Sequence, residues 1–219
     1  TPGQTYRYQI TIDDSTGNRV WGSSREITVP TTVERHDYGK TVLADEPTIY
    51  WPLNDPLGSS TITDHAGGYH GVPVNGVTFN VENSPISGDP AVRVNGTNSG
   101  RIHAFGTSAA PTEFSAEVWF RTGSSSGRLL GFGDLQVGNS GHRDRQIYLT
   151  NSGRVHFGIR SDGAKVLSSQ SQHNNNQWTQ AVATLSGSTA RLYVNGALVA
   201  QRHDITNPEG YIGNWRLGG

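Results

Sequence analysis

Residues Asn176–Ala200 read NQWTQAVATLSGSTARLYVNGALVA, and this stretch decides the fold. Ala190, Leu192 and Val194 alternate with Arg191, Tyr193 and Asn195. That is the period of a strand with one buried face. Asn195-Gly196 follows, the dipeptide that tolerates the positive φ angles of a tight hairpin turn. The chain then returns through Leu198-Val199-Ala200. One segment thus specifies two antiparallel strands and the side they bury.

The same signals recur outward from it. Asn75-Gly76, Asn95-Gly96 and Asp162-Gly163 mark further hairpin turns, and Asn151-Ser152-Gly153 separates Gln146–Leu149 from Arg154–Ile159. Phe114, Ala116, Val118 and Phe120 alternate with Ser115, Glu117, Trp119 and Arg121. Both sets carry large aromatics, which predicts a central strand covered on both faces. Tyr38–Ala44 is the best helical candidate, with Tyr38 and Val42 on one face. Pro47 ends it by Glu46, giving a single turn in a connection. From Asp45 onward the pattern predicts an all-β, antiparallel two-sheet jelly-roll sandwich.

Composition narrows the function classes. The chain has 219 residues, a formal net charge of −1, 28 glycines and no cysteine. Thiolate catalysis, disulfides and Cys-ligated metals are excluded. The balanced charge and scattered arginines provide no basic stripe for nucleic acid. No apolar run is long enough to span a membrane as a helix. No basic-then-apolar N-terminal segment is present and methionine is absent, so the chain reads as processed or cut from something longer.

Two regions resemble known families. Pro2–Ile10, the Gly17-Asn18 turn and Ser23–Pro30 resemble the last strands of a fibronectin type III domain, with Tyr6 in the place of its tyrosine corner. Leu43–Asn54 (LADEPTIYWPLN), Phe114–Thr122 (FSAEVWFRT), Asn176–Ala200 and Tyr211–Gly219 (YIGNWRLGG) resemble a laminin-G-like jelly roll of the concanavalin A-like superfamily. The resemblance is to the type in actinobacterial surface proteins and phage tail proteins. It implies three parts: residues 1–30 as fibronectin type III strands, 31–46 as a linker with a short helical turn, and 47–219 as the jelly roll. The family continues past Trp-Arg-Leu-Gly-Gly to one more strand, so the resemblance implies that this last strand is lacking here and comes from elsewhere.

Candidate chemistry is sparse. The Glu-x-Asp-x-x-Glu run of the concanavalin-like glucanases is absent, and Glu113 and Glu117 read as ordinary surface or turn carboxylates. The resemblance implies a possible rim calcium, for which Asp55 and Asp64 are the candidate ligands. The competing reading is that each aspartate caps its own turn. His65 and His70 read as a solvated pair rather than a zinc site. For glycan binding the candidates are His142, Arg143, Asp144 and Arg145, in a Gly-flanked polar loop, with Tyr211 and Trp215. Against these stand a solvated loop with an internal Arg–Asp pair and a core position for Trp215. Trp51, Trp119 and Trp178 are assigned to the core.

The expected function is a non-catalytic carbohydrate-binding or adhesion module of a larger extracellular, cell-surface or virion tail protein. Its expected partners are a cell-surface polysaccharide and other domains or chains of the assembly, with no nucleic acid and no membrane insertion. The alternatives are a structural spacer or assembly module of a fibre, and an accessory domain of a glycosidase.

Overall fold

The computed structural model describes residues 4–9, 11–13, 15–16, 19–28, 37–86, 89–97 and 100–219. The chain divides into two compact units, Thr1–Asp37 and Tyr38–Gly219.

In the first unit, β1 (Thr5–Tyr8) pairs antiparallel with β4 (Arg25–Thr28), and β2 (Thr11–Asp13) pairs with β3 (Arg19–Trp21). The sequence predicts two strands, Tyr6–Ile12 and Arg25–Val29, around a turn. The structure instead carries a second ladder, whose strand β3 lies inside the turn-rich region expected over Asp13–Ser24. Gln9 donates to the Gly22 carbonyl at 2.7 Å where the two ladders are interrupted. The opposed Arg7 and Glu26 form an exposed ion pair at 2.6 Å. Exposed pairs of this kind contribute at most about 1 kcal/mol.

From Tyr38 the second unit continues α1 (Asp37–Ala44), which has two turns rather than the one expected. Asp45 and Glu46 bond back to Val42 and Leu43, and Pro47 prevents continuation. The Tyr38 hydroxyl donates to Glu117 and accepts from Trp119 Nε1, so Tyr38 packs on the sandwich. The sequence had placed it in a linker.

The strands that follow are β5 (Gly71–Pro73), β6 (Val77–Val81), β7 (Ala91–Val94), β8 (Arg101–Ala104), β9 (Ser108–Ala109), β10 (Phe114–Phe120) and β11 (Gly127–Gly133). Then come β12 (Arg143–Leu149), β13 (Arg154–Arg160), β14 (Ala164–Gln172), β15 (Thr179–Ser186), β16 (Thr189–Val194), β17 (Ala197–Arg202) and β18 (Ile212–Gly218). The smaller main sheet runs β10-β15-β16-β17. The larger runs β14-β13-β12-β11-β18-β8-β5, with β9 attached to β18. All pairings are antiparallel, as a two-sheet jelly-roll sandwich requires.

Alternation places the core. Ala190, Leu192 and Val194 face inward, opposite Ala181, Ala183 and Leu185 of β15, and meet Ile147, Leu149, Val155, Phe157 and Ile159 of the large sheet. Each fully buried Leu, Ile or Phe contributes about 1.5–3 kcal/mol. A second cluster of Ile62, Phe79 and Ile102, with Trp51 against it, fills the far end. Asn195 and Gly196 have φ of 49° and 78°, as their hairpin turn demands. Asn75-Gly76 and Asn95-Gly96, expected to close hairpins, instead lie together at one end of the β6–β7 pair, where Asn95 N–H donates to the Gly76 carbonyl.

Three expectations need correction. β10 ends the smaller sheet among the described residues, so it is not central. Its outward aromatic, Trp119, is covered by Tyr38, whose ring stands edge-on at 6.5 Å. Trp178 precedes β15, with Arg121 over its ring at 5.3 Å and its Nε1 on the Asn83 carbonyl, away from the core.

Candidate functional site

The face of the large sheet turned away from the core is built from the residues between the core positions. On β11, Leu130 and Phe132 point inward, leaving Gly131 and Gly133 outward. A Cβ at Gly131 would stand 2.9 Å from Gln146 Cγ and 3.1 Å from Arg128 Cδ. At Gly133 it would stand 2.6 Å from Ser140 Oγ and 2.9 Å from Arg216 Nη2. The two glycines therefore make a floor over which long side chains fold.

Two register shifts shape this region. One extra residue lies on β11 between Arg128 and Leu130, and one extra on β12 between Asp144 and Ile147. The second is a bulge with Arg145 at φ 48°. It turns Gln146 outward and lets both Asp144 and Ile147 be buried.

Over the glycine floor lies a cleft of about 440 Å³, lined by Arg101, Arg128, Arg143 and Arg216 with Gln146 and Ser140, and closed by Gly138, Asn139 and Gly219. No acidic side chain is among its lining residues. Arg216 is 1 % exposed. It donates to the Gly138 carbonyl at 3.1 Å and to Ser140 Oγ at 2.6 Å, and its Nε has no acceptor in the protein. Gln146 Nε2 is likewise buried without an acceptor. Arg128 donates to the backbone oxygens of Gly218 and Gly219 at 3.0 and 2.6 Å. Burial, then repulsion from Arg216, Arg101 and Arg143, pushes the Arg128 pKa down to about 10. Arg216 is lowered by burial and by Arg101, against a raising effect of Asp134.

A polar row crosses the sheet beside the cleft. Ser168, His156, Tyr148 and Arg128 are successive partners on β14, β13, β12 and β11, and so share one face. Ser168 Oγ lies 2.9 Å from His156 Nε2, and the His156 and Tyr148 rings are 5.3 Å apart. Gly158 makes room for Tyr148, whose Cε1 would meet a Cβ there at 3.3 Å.

The residues expected to bind glycan are distributed differently. Arg143 lines the cleft. His142, Asp144, Arg145 and Tyr211 are brought together, but as a structural knot. Residues 143–145 open β12 rather than forming a loop. Asp144 and Arg145 are 3 % and 1 % exposed and paired at 2.5 Å. Arg145 also donates to the carbonyls of Pro111 and Glu209, each at 2.9 Å. The Tyr211 hydroxyl donates to Asp144 Oδ1 at 2.7 Å, and burial followed by the Asp144 charge raises its pKa. His142 Nδ1 lies 2.8 Å from Glu209 Oε1, and its ring lies against Tyr211 at 5.5 Å. Trp215 is half-buried and packs against the core cluster, its ring edge-on to Phe114 and Phe132 at 5.9 and 5.3 Å.

Asp55 and Asp64 each accept hydrogen bonds from the protein. Asp64 accepts four backbone N–H groups, from Tyr50, Ala66, Gly68 and Tyr69, at 2.8–3.0 Å. Burial alone would raise its pKa, but these four bonds bring it below the usual carboxylate value. Asp55 accepts from the Thr63 backbone and hydroxyl, leaving Oδ2 buried without a partner. No three acidic or histidine side chains converge among the described residues. His70 Nδ1 accepts the Asp64 N–H, and His65 stands edge-on to Tyr50. Glu113 accepts from the Gly187 N–H, and Glu117 from Tyr38 and Gln180.

The cleft was missed from sequence because its arginines are far apart along the chain. The alternation of Leu130 and Phe132 with Gly131 and Gly133 was the available signal.

A search of curated proteins finds no match. Among solved structures, the Ruminococcus gnavus IT-sialidase CBM40 bound to α2,3-sialyllactose is 22 % identical, with a TM-score of 0.41, over 50 % of this chain and 65 % of that one. Domains LG4-5 of the mouse laminin α1 chain are 17 % identical, with a TM-score of 0.40, over 49 % of this chain and 28 % of that one. Domain 4 of AbnA, an extracellular arabinanase from Geobacillus stearothermophilus, in complex with arabinotriose, is 15 % identical, with a TM-score of 0.45, over 71 % and 85 %. The chain thus spans less than two thirds of the length of the first two. Residues 91–219 match the laminin G family described as "Concanavalin A-like lectin/glucanases superfamily". With more than half of its length matched, the chain belongs to the concanavalin A-like lectin/glucanase superfamily.

Proposed function

We propose that the Tyr38–Gly219 unit is a non-catalytic carbohydrate-binding module of a larger extracellular protein, of the surface or virion tail kind, and that it recognises a cell-surface polysaccharide. One observation carries this reading. The outward face of the large sheet holds a glycine-floored cleft of about 440 Å³ beside the half-buried ring of Tyr148. An aromatic face for sugar C–H groups, next to fixed donors for hydroxyls, is what saccharide recognition needs. Gln146 Nε2 and Arg216 Nε are donors without protein acceptors at that place. Because no acidic side chain lines the cleft, the two-carboxyl arrangement of glycoside hydrolysis is missing there. The N-terminal unit, read as the end of a fibronectin type III domain, serves as a spacer.

The test is binding of the chain to a glycan panel. The reading predicts binding to a subset of glycans, lost in Tyr148→Ala while the circular dichroism spectrum is kept. A folded chain that binds no glycan at millimolar concentration contradicts it and favours a spacer.

A further inference from the structure

We infer that the saccharide taken by this face carries an anionic substituent, a carboxylate or a sulfate ester, seated in the cleft among Arg128, Arg143 and Arg216. The inference rests on the carbohydrate-binding reading and names the ligand class of the same site.

The cleft gathers four guanidinium groups and no acidic side chain. The protein contacts described for Arg216 are neutral, the Gly138 carbonyl and Ser140 Oγ, while Arg128 donates to the main-chain oxygens of Gly218 and Gly219. Neutral acceptors hold Arg216 in place without cancelling its charge. Asp134 is near enough to act on Arg216, but its Oδ2 accepts the His142 N–H and it is not among the cleft residues. Partly buried like charges repel one another in a low-dielectric setting, and an anion relieves that repulsion. A neutral sugar hydroxyl does not.

The donors also have the right form. Guanidinium presents a planar fork that matches a carboxylate or sulfate with two parallel bonds. The Arg216 Nε, buried and without an acceptor, lies at the base of the cleft. Arg143 is exposed at its mouth, where it first meets a charged ligand. The row of Tyr148 and His156 continues from Arg128, so a ring whose acidic group is in the cleft has neighbouring rings lying over Tyr148.

The test uses matched pairs on the full chain by calorimetry: a hexuronate oligosaccharide and its carboxyl-reduced counterpart, and a sulfated disaccharide and its desulfated form. The inference predicts at least one acidic member binding about tenfold or more tighter than its neutral partner. That preference should shrink as salt rises. It should also be lost in Arg143→Gln and Arg128→Gln and kept in Arg121→Gln, which lies outside the cleft. Arg143 is exposed, so its variant tests the idea even if Arg128→Gln fails to fold. Which pair shows the preference tells carboxylate from sulfate. Equal binding within every pair, or a preference that survives Arg143→Gln, overturns the inference and leaves the carbohydrate-binding reading standing. A folded chain that binds no member overturns both.

Discussion

Arg101 and Arg216, on the neighbouring strands β8 and β18, donate to one and the same oxygen, the Gly138 carbonyl, at 3.4 and 3.1 Å. Two cations thus meet on a neutral acceptor at the edge of a cleft that holds two more arginines. If an anion belongs there, it should stabilise the fold. Sulfate or a hexuronate should raise the unfolding midpoint in a saturable manner, by the equivalent of about 2.7 kcal/mol at a hundred times its dissociation constant. Differential scanning fluorimetry against sodium chloride at equal ionic strength checks this. An identical rise with chloride contradicts it.

The cleft floor makes a second prediction. In Gly133→Ala the new methyl would press on Ser140 Oγ and Arg216 Nη2 at 2.6 and 2.9 Å. Overpacking of this kind costs about 1–3 kcal/mol. Binding should weaken by more than the same substitution at Gly210, where a Cβ meets nothing within 4 Å. Urea denaturation and calorimetry of the two variants measure both effects.

The Asp144–Arg145–Tyr211 knot is predicted to act on stability. Asp144→Ala leaves Arg145, 1 % exposed, without its charge partner. The expected loss is about 3–5 kcal/mol. Tyr211→Phe removes the hydroxyl bond to Asp144 and should cost about 1 kcal/mol. In urea denaturation the two should rank in that order, and folded Tyr211→Phe should keep the glycan affinity of the parent chain.

Asp64 and pH give a fourth prediction. Its pKa is lowered in the folded state, so its contribution is present above the ordinary value of 3.8 and is lost as pH falls through the lowered one. Asp64→Asn should remove that dependence in acid titrations followed by tryptophan fluorescence. Because Asp64 already accepts four N–H groups, calcium or a chelator should leave the unfolding midpoint unchanged.

Arg128 sets the alkaline limit of the site. With its pKa at about 10, Arg128 keeps its charge at neutral pH. Folding disfavours the charged form of this group, so on its own account stability rises as pH passes upward through 10. Anion affinity moves the other way. It should be flat from about pH 6 to 9 and fall above 10 as Arg128 loses its proton. Calorimetric titrations across that range test the sign.

The hairpin of β16 and β17 was readable because Ala190, Leu192 and Val194 each bury and Asn195-Gly196 adopts the left-handed angles its turn needs. Strand order was less readable. Phe114–Phe120 alternates like a central strand, yet its outward Trp119 is covered by Tyr38, a contact 81 residues apart in sequence. His142–Arg145 was found as a cluster, but the bulge on β12 between Asp144 and Ile147 buries Asp144 and Arg145, and local sequence does not announce a bulge. The gathering of the four cleft arginines was hidden. Arg101, Arg128, Arg143 and Arg216 come from β8, β11, β12 and β18 and meet only through the sheet order.

The most direct test of the account is a chemical-shift map of the chain titrated with a saccharide it binds. The predicted result is that the amides of Arg128, Gly131, Gln146, Tyr148 and Arg216 move together and saturate with one dissociation constant. Shifts confined to the His142 and Tyr211 end, or to the smaller sheet around β16, would contradict it.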